Sequence, residues 1–371
     1  MTAEIQARIS SPATRSNVIV EPYLHVQAET IYNPINDRVY EKNSPGFSKL
    51  ERLLKDPSGL AELEVEQCNK WLRDGWLIID DDTRDRRFSL KYVSFEANSN
   101  CNQRCYFCPV SEGPRESLVM PMEAYQEIIH KLLPYRDTLE AVFLFIFNEP
   151  TLDPLLLERI ALLKRCELPI AVNSNATGLT PDLAEKIIEL GGLDFLSINL
   201  STLDPAQYRE DRGLDHLPVV LKNMDYISNR PLAKIMRIAV LGNQDIIHQQ
   251  QLARIRKRFM NTRFDVQDYG LVARTGEAAS RKAGPNEAQR PVGCDNLGSR
   301  LLQHLHINAD GSCTICCEDY LGRYLLESLL HQSPRDILTS EKVAQLRRWT
   351  YGLEHPPADY ICRSCEAALT E

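Results

Sequence analysis

The sequence predicts an α/β protein: a partial (β/α)6 barrel, preceded by a small α+β module and followed by a cysteine-rich C-terminal domain. Three observations carry this prediction. From about residue 90 to 270, apolar runs alternate with helix-spaced segments, the pattern of a parallel sheet covered by helices. Before that stretch the rhythm is a hairpin and two short helices. After it, six of the 11 cysteines fall between Cys294 and Cys365.

Residues 1–17 are polar and read as a disordered tail. Residues 18–88 form the first module. "YLHVQAETIYNPINDRVYEKN" alternates apolar and polar residues around a turn-like "NPIND", which predicts a β-hairpin. "GFSKLERLLKD" and "EVEQCNKWLRDG" have helical spacing, with Gly75 as a C-cap, and "WLIID" returns as a strand. Two helices beside a small sheet are similar to a winged helix. The barrel spans residues 89–275. Its strands are "YVSFEANS", "EAVFLFIFNEP", "PIAVNSNA", "FLSINLS", "AKIMRIAVLG" and "FDVQDYG", with amphipathic helices between them. Right-handed crossovers curve such a sheet into an open or closed barrel. Residues 275–293 are rich in Gly, Pro and Ala and read as a linker into the last domain, 276–371.

The net charge of −8 argues against a broad nucleic-acid-binding surface. No run approaches the ~20 apolar residues of a membrane span. The N-terminus lacks the apolar core of a secretory signal, so the expected location is the cytoplasm, where thiols stay reduced. Eleven cysteines there point to metal or catalysis rather than disulfides. Cys68 and Cys166 stand apart from the others and read as incidental.

"CNQRCYFC", residues 101–108, follows the first barrel strand directly. In a parallel barrel the functional rim is where strand C-termini run into loops. Three thiolates on one short loop can wrap a metal cluster and leave one metal without a protein ligand, whereas a structural site is closed by a fourth. Cys101-x3-Cys105-x2-Cys108, with Phe107 before the last cysteine, resembles the signature of the radical S-adenosylmethionine (SAM) superfamily. Further segments share the resemblance in the expected order. "NEP" (Asn148, Glu149, Pro150) is similar to the Gly-Glu-Pro type of segment that receives the SAM amino group, with Asn148 where glycine is more usual. "VNSNA" and "SINLS" are similar to the polar strand ends that face SAM, which implies roles for Asn173, Ser197, Asn199 and Ser201. "YREDRGLDHLPVVLKNMDYI", with Arg212, and "LVARTGEA" resemble segments of the SPASM branch of that superfamily.

The second cysteine group includes "HLHINADGSCTICC", a predicted hairpin turning on Asp310–Gly311, followed about 45 residues later by "CRSC". A hairpin closed by a distant C-x2-C is a common way to hold a four-thiolate site. The most economical ligand set is Cys294, Cys316, Cys362 and Cys365. Gly311-x4-Cys316 resembles the SPASM pattern in a shortened, twitch-like version, which implies one auxiliary [4Fe-4S] cluster beside the radical SAM [4Fe-4S] cluster. Zinc suits four cysteines equally well. Cys313 and Cys317 are left over: hairpin-packing thiols, a substitute ligand or a hydrogen-atom donor.

The resemblance implies reductive cleavage of SAM to a 5′-deoxyadenosyl radical and hydrogen abstraction from a substrate C–H bond, with flavodoxin or ferredoxin as electron donor. The N-terminal module resembles the leader-recognition domains of enzymes that modify ribosomally made precursor peptides, which points to cross-linking or epimerisation of such a peptide. Oxidation of a small-molecule alcohol, such as an aminocyclitol or sugar, is the alternative. A non-catalytic iron–sulfur or zinc sensor is the third reading. Asp268 and Tyr269, at the end of the sixth strand, are expected to face the barrel mouth.

Overall fold

A computed structural model describes residues 17–113, 115–271, 290–296 and 299–370 of the chain. The expected tail up to residue 16 and most of the expected linker lie outside the described residues.

The N-terminal module contains Val18–Val20 (β1), His25–Val26 (β2), Thr30–Asn33 (β3), Arg38–Glu41 (β4) and Leu77–Ile79 (β5). β3 and β4 form the hairpin around "NPIND", and β2 adds to its other side. β5 pairs antiparallel with β1 instead, so the module holds two small sheets. Its helices are Pro45–Lys55 and Val65–Asp74. The second buries Cys68 and Trp71, one turn apart. It ends at Gly75 with φ +77°, where a Cβ would lie 2.4 Å from Asn36 Nδ2. That amide instead donates to the carbonyl of Asp74 at 2.8 Å, so the hairpin turn caps the helix. Leu50, Trp71 and Trp76 centre a core separate from that of the barrel.

Six parallel strands follow: Tyr92–Phe95 (β6), Ala141–Phe143 (β7), Ile170–Ser174 (β8), Leu193–Asn199 (β9), Ala233–Gly242 (β10) and Phe264–Gly270 (β11). Each connection contains at least one helix, and several are capped by a side chain at the N-terminus. Thr180 accepts from the Leu183 amide, Asp204 from Gln207 and Asp245 from His248. Residues after β6 and on β11 line one cavity, so the sheet curves into an open barrel.

The C-terminal part contributes Pro291–Cys294 (β12), His304–Ile307 (β13), Ser312–Thr314 (β14), Leu326–Ser328 (β15) and Ala368–Thr370 (β16). β13 and β14 are the expected hairpin, with Gly311 in its turn. The sequence places this hairpin in a domain of its own. In the structure β13 pairs in parallel with β6, Leu305 opposite Val93 and Ile307 opposite Phe95. One nine-stranded sheet therefore runs β11-β10-β9-β8-β7-β6-β13-β14-β15. One apolar core spans both parts, from Val93 and Ile198 to Cys313 and Ile361.

Asp85 ties the N-terminal module to the C-terminal part. Its carboxylate accepts from the Tyr23 hydroxyl at 2.6 Å, from Arg84 Nε at 2.7 Å and from Arg348 Nη1 at 3.3 Å, while its carbonyl accepts from the buried Arg347. Burial raises this carboxyl, but Arg84, Tyr23 and Arg348 outweigh it and hold it at about 2. A group held below its unfolded value near 4 stabilises the fold above that pH and loses the effect as pH falls toward 2. Asp85→Asn is expected to cost about 1–3 kcal/mol near neutral pH. Urea unfolding at pH 7 and pH 3 should show the gap between variant and parent narrowing at the lower pH.

Candidate functional site

The first cysteine loop is held at the rim by the chain around it. The amides of Arg104 and Tyr106 donate to the carbonyls of Arg212 at 2.9 Å and Asp211 at 3.1 Å. This close approach uses Gly213, whose φ is +72° and whose absent Cβ would lie 3.1 Å from the Arg104 backbone oxygen. On the other side the Glu149 amide donates to Asn100 O at 2.8 Å. Gln103 Nε2 donates to the Tyr208 hydroxyl at 2.7 Å.

Cys101, Cys105 and Cys108 all line one cavity of about 370 Å³ at the strand ends. Phe107, Asn148, Glu149, Asn173, Ser197, Asn199 and Arg212 line it too. Seven positions picked from the sequence thus meet the three cysteines around one space. Two others stand behind this wall. Ser201 is buried and accepts from Arg212 Nη2 at 3.2 Å. Pro150 is buried and starts a 3-10 turn.

Arg212 is the organising cation. Nη1 lies 3.5 Å from Cys105 Sγ, Nη2 donates to Asn199 Oδ1 at 2.7 Å, and the guanidinium sits 4.8 Å from the Phe107 ring centre. A buried guanidinium needs such partners. Glu149 is buried as well. Its carboxylate receives the Thr151 amide (3.1 Å) and hydroxyl (2.7 Å), the Ser174 hydroxyl (2.7 Å) and the Asn175 amide (2.7 Å). Burial pushes its carboxyl up, against the pull of those donors. With four donors from the chain, the carboxylate locks the β7 end onto the β8 end. Burial likewise pushes the Cys101 thiol up to about 12, with Glu149, Cys105 and Cys108 adding to the rise.

In the barrel, one residue departs from expectation and one was missed. Asp268 does not face the mouth. It pairs with His248 on the outer helix at 2.6 Å, because neighbouring residues on a strand point to opposite faces. Tyr269 lines the cavity as expected, and its hydroxyl accepts from Arg237 Nη1 at 3.0 Å. Arg237 also lines the cavity and was not singled out in the sequence. A cation inside the apolar run "AKIMRIAVLG" was the available signal.

In the C-terminal part, Cys294, Cys316, Cys362 and Cys365 line one small, apolar cavity. Burial raises the thiols of Cys294, Cys362 and Cys365, and for Cys316 the hydrogen bond with Cys317 raises it first, with burial adding to the rise. Cys313 is 0 % exposed and packs in the main core. Cys317 lies beside this cavity, its sulfur 3.7 Å from Glu318 Oε1. Neither Cys313 nor Cys317 lines the barrel cavity. Arg300, also missed, lines the four-cysteine cavity. Nη1 contacts His304 Nδ1, and Nη2 donates to Asn296 Oδ1 at 3.0 Å. His304 Nε2 lies 2.8 Å from Ser94 Oγ on β6. The charges of Cys317, Cys316 and Cys294 favour the Arg300 cation, although burial opposes it.

The Radical SAM superfamily model matches residues 96–253, and the SPASM model, an iron–sulfur cluster-binding domain, matches residues 294–366. The chain carries a radical SAM domain followed by a SPASM domain. Among solved structures, SuiB of Streptococcus suis bound to precursor peptide SuiA is similar over 94% of this chain and 93% of its own, at 13% identity and TM-score 0.57. BtrN in complex with AdoMet and 2-DOIA is similar over 75% of this chain and 93% of its own, at 15% identity and TM-score 0.51. A curated relative, the tungsten-containing aldehyde ferredoxin oxidoreductase cofactor-modifying protein of Pyrococcus furiosus, is 25% identical over 118 residues. That match spans 32% of this chain and about a third, 33%, of the relative.

The two domains imply SAM and [4Fe-4S] clusters as cofactors, which displaces the zinc reading of the second group. The residues fit them. All the cysteines are free thiols. Asn173, on the barrel-cavity wall, has a buried Oδ1 with no partner among the described residues. No three His, Cys, Asp or Glu side chains among the described residues converge on a single-ion site. Among the described residues no helix is long and apolar enough to cross a membrane.

Arg300 places a fixed positive charge beside the four thiols. Arg300→Gln is expected to shift the reduction potential of the auxiliary cluster negative, because an added electron loses its counter-charge. A redox titration followed by electron paramagnetic resonance should show that shift and leave the other cluster unmoved.

Proposed function

We propose that this radical SAM enzyme modifies a ribosomally made precursor peptide at an unactivated carbon, by cross-linking or epimerisation. When bound, the reduced cluster and SAM together supply a 5′-deoxyadenosyl radical that takes a hydrogen atom from a C–H bond. Everything else falls to the chain's own residues. Cys101, Cys105 and Cys108 would hold the cluster and leave one iron open. The Asn148–Pro150 segment, Asn173, Ser197 and Asn199 would orient SAM, with Arg212 and Ser201 holding Asn199 in place and Phe107 stacked on Arg212. The apolar walls, Phe145 and Phe195 among them, exclude water from the reacting carbon. Cys294, Cys316, Cys362 and Cys365 would hold the auxiliary cluster, with flavodoxin or ferredoxin as the external donor.

The observation that carries the radical reading is the meeting of three thiols and the polar strand ends in one cavity. Support for a peptide comes from the N-terminal module. The likeness to SuiB, a protein solved with its precursor peptide, covers 94% of this chain, against 75% for BtrN, which was solved with 2-DOIA. The module also presents an edge. β4 pairs only with β3 among the described strands, and Val39 on it is 46% exposed. An extended peptide adding to that edge would gain main-chain hydrogen bonds.

Anaerobic reconstitution should give about eight irons per chain, falling to about four when Cys101, Cys105 and Cys108 are all changed to Ala. No iron in either would overturn the radical reading. A candidate precursor peptide incubated with the reduced enzyme and SAM should yield 5′-deoxyadenosine and a mass change in the peptide. Turnover of an aminocyclitol or sugar alcohol, with the peptide untouched, would assign the small-molecule reaction instead.

A further inference from the structure

Outside the two cysteine sites lies a cavity of about 240 Å³, of mixed polar and apolar lining, between the loop after β6 and the β13–β14 turn. Glu96, the residue after β6, is 2% exposed and lines it. Its Oε2 accepts from Arg115 Nη1 at 2.7 Å. Its Oε1 is buried with no partner among the described residues.

Arg115 is not available to fill that gap. It is spread over the Phe147 and Tyr320 rings, 4.8 and 4.5 Å from their centres, and donates to Asn308 Oδ1 at 3.4 Å and to the Tyr320 carbonyl. Asp310, whose carboxylate accepts from the Ser312 amide and hydroxyl, and Glu116 also line the cavity from its exposed side, so the lining holds three carboxylates and one guanidinium. The balance is negative, and an anion is repelled. Burial pushes the Glu96 carboxyl up to about 7 although Arg115 opposes the rise, and Asp310 adds to it. A buried acceptor in acidic surroundings favours a cation that donates a hydrogen bond. Among the described residues no three acidic side chains here converge tightly enough for a metal ion. The adjacent guanidinium also disfavours a divalent charge.

We propose that this cavity binds a primary ammonium group, whose nitrogen donates to Glu96 Oε1 while Asp310 and Glu116 balance its charge. The site adjoins the radical site. Phe147 lines the barrel cavity, and Phe147 and Tyr320 pack with Val110 against Cys101 and Cys108. It would recognise an amine at a distance from the reacting carbon. The amine is either the side chain of a peptide lysine or a free small molecule. The inference goes beyond the proposed function and does not depend on it, because binding is read without reductant or SAM.

The test is calorimetric titration of the reconstituted full chain with n-butylammonium and, separately, with Nα-acetyl-lysine N-methylamide. Saturable binding of the lysine amide at least as tight as that of n-butylammonium assigns a peptide side chain. Binding of n-butylammonium alone assigns a free amine. Glu96→Gln should weaken either at least tenfold with iron content unchanged. If that variant loses its iron, Asp310→Asn decides, and weaker binding in it supports the site. Absence of binding by both amines, binding that neither variant weakens, or tighter binding of acetate or Mg²⁺ would overturn the proposal. So would a crystal soaked in n-butylammonium with only water on Oε1.

Discussion

The parallel pairing of β13 with β6 is the interaction on which the rest depends. β6 is the first strand of the barrel, and its end leads into Glu96 and then Cys101. β13 carries His304, whose ring meets Ser94 on β6 and Arg300 beside the second group of thiols. One backbone ladder thus sets the first cysteine loop, the four-cysteine cavity and the acidic cavity in a common frame. Parallel strands pair only when a long connection returns the chain in the same direction. Here that connection holds the rest of the barrel, so the pairing places the C-terminal cysteines beside the strand that leads into the first cysteine loop.

Buried charge is the second theme. Arg212, Arg300, Glu149 and Glu96 all lie in surroundings where an isolated charge would be costly. Each cation stands beside thiols, and its fixed charge favours their deprotonated form, the form that binds iron. Glu149 is satisfied by donors of the chain itself and acts as a clamp between strand ends. Glu96 is satisfied on one oxygen only.

The N-terminal module keeps its own core but does not hang free. Tyr23 packs edge-on against Tyr351 with ring centres 4.8 Å apart, and Asp85 gathers Tyr23, Arg84 and Arg348 at the same joint. The module is therefore docked on the C-terminal part while the β4 edge stays open.

Much of this was legible in the sequence because its signals are local. The strand–helix rhythm rests on apolar periodicity, Gly75 on the backbone needs of a helix end, and the three-cysteine loop on its place after a strand. The set Cys294, Cys316, Cys362 and Cys365 rested on the resemblance to the SPASM pattern, with Cys313 and Cys317 left open; the structure brings those four to one cavity and packs Cys313 in the core. What the sequence could not decide were the facings and partners set by distant segments. Asp268 and Tyr269 are neighbours, and only the curvature and register of β11 send one to the outer helix and the other to the cavity. Arg237 and Arg300 read as ordinary charges until folding sets the first over the Phe195 ring and the second beside four thiols. The joining of the hairpin to the barrel sheet has no local mark at all. It comes from backbone hydrogen bonds between segments about two hundred residues apart, and those form only in the tertiary structure.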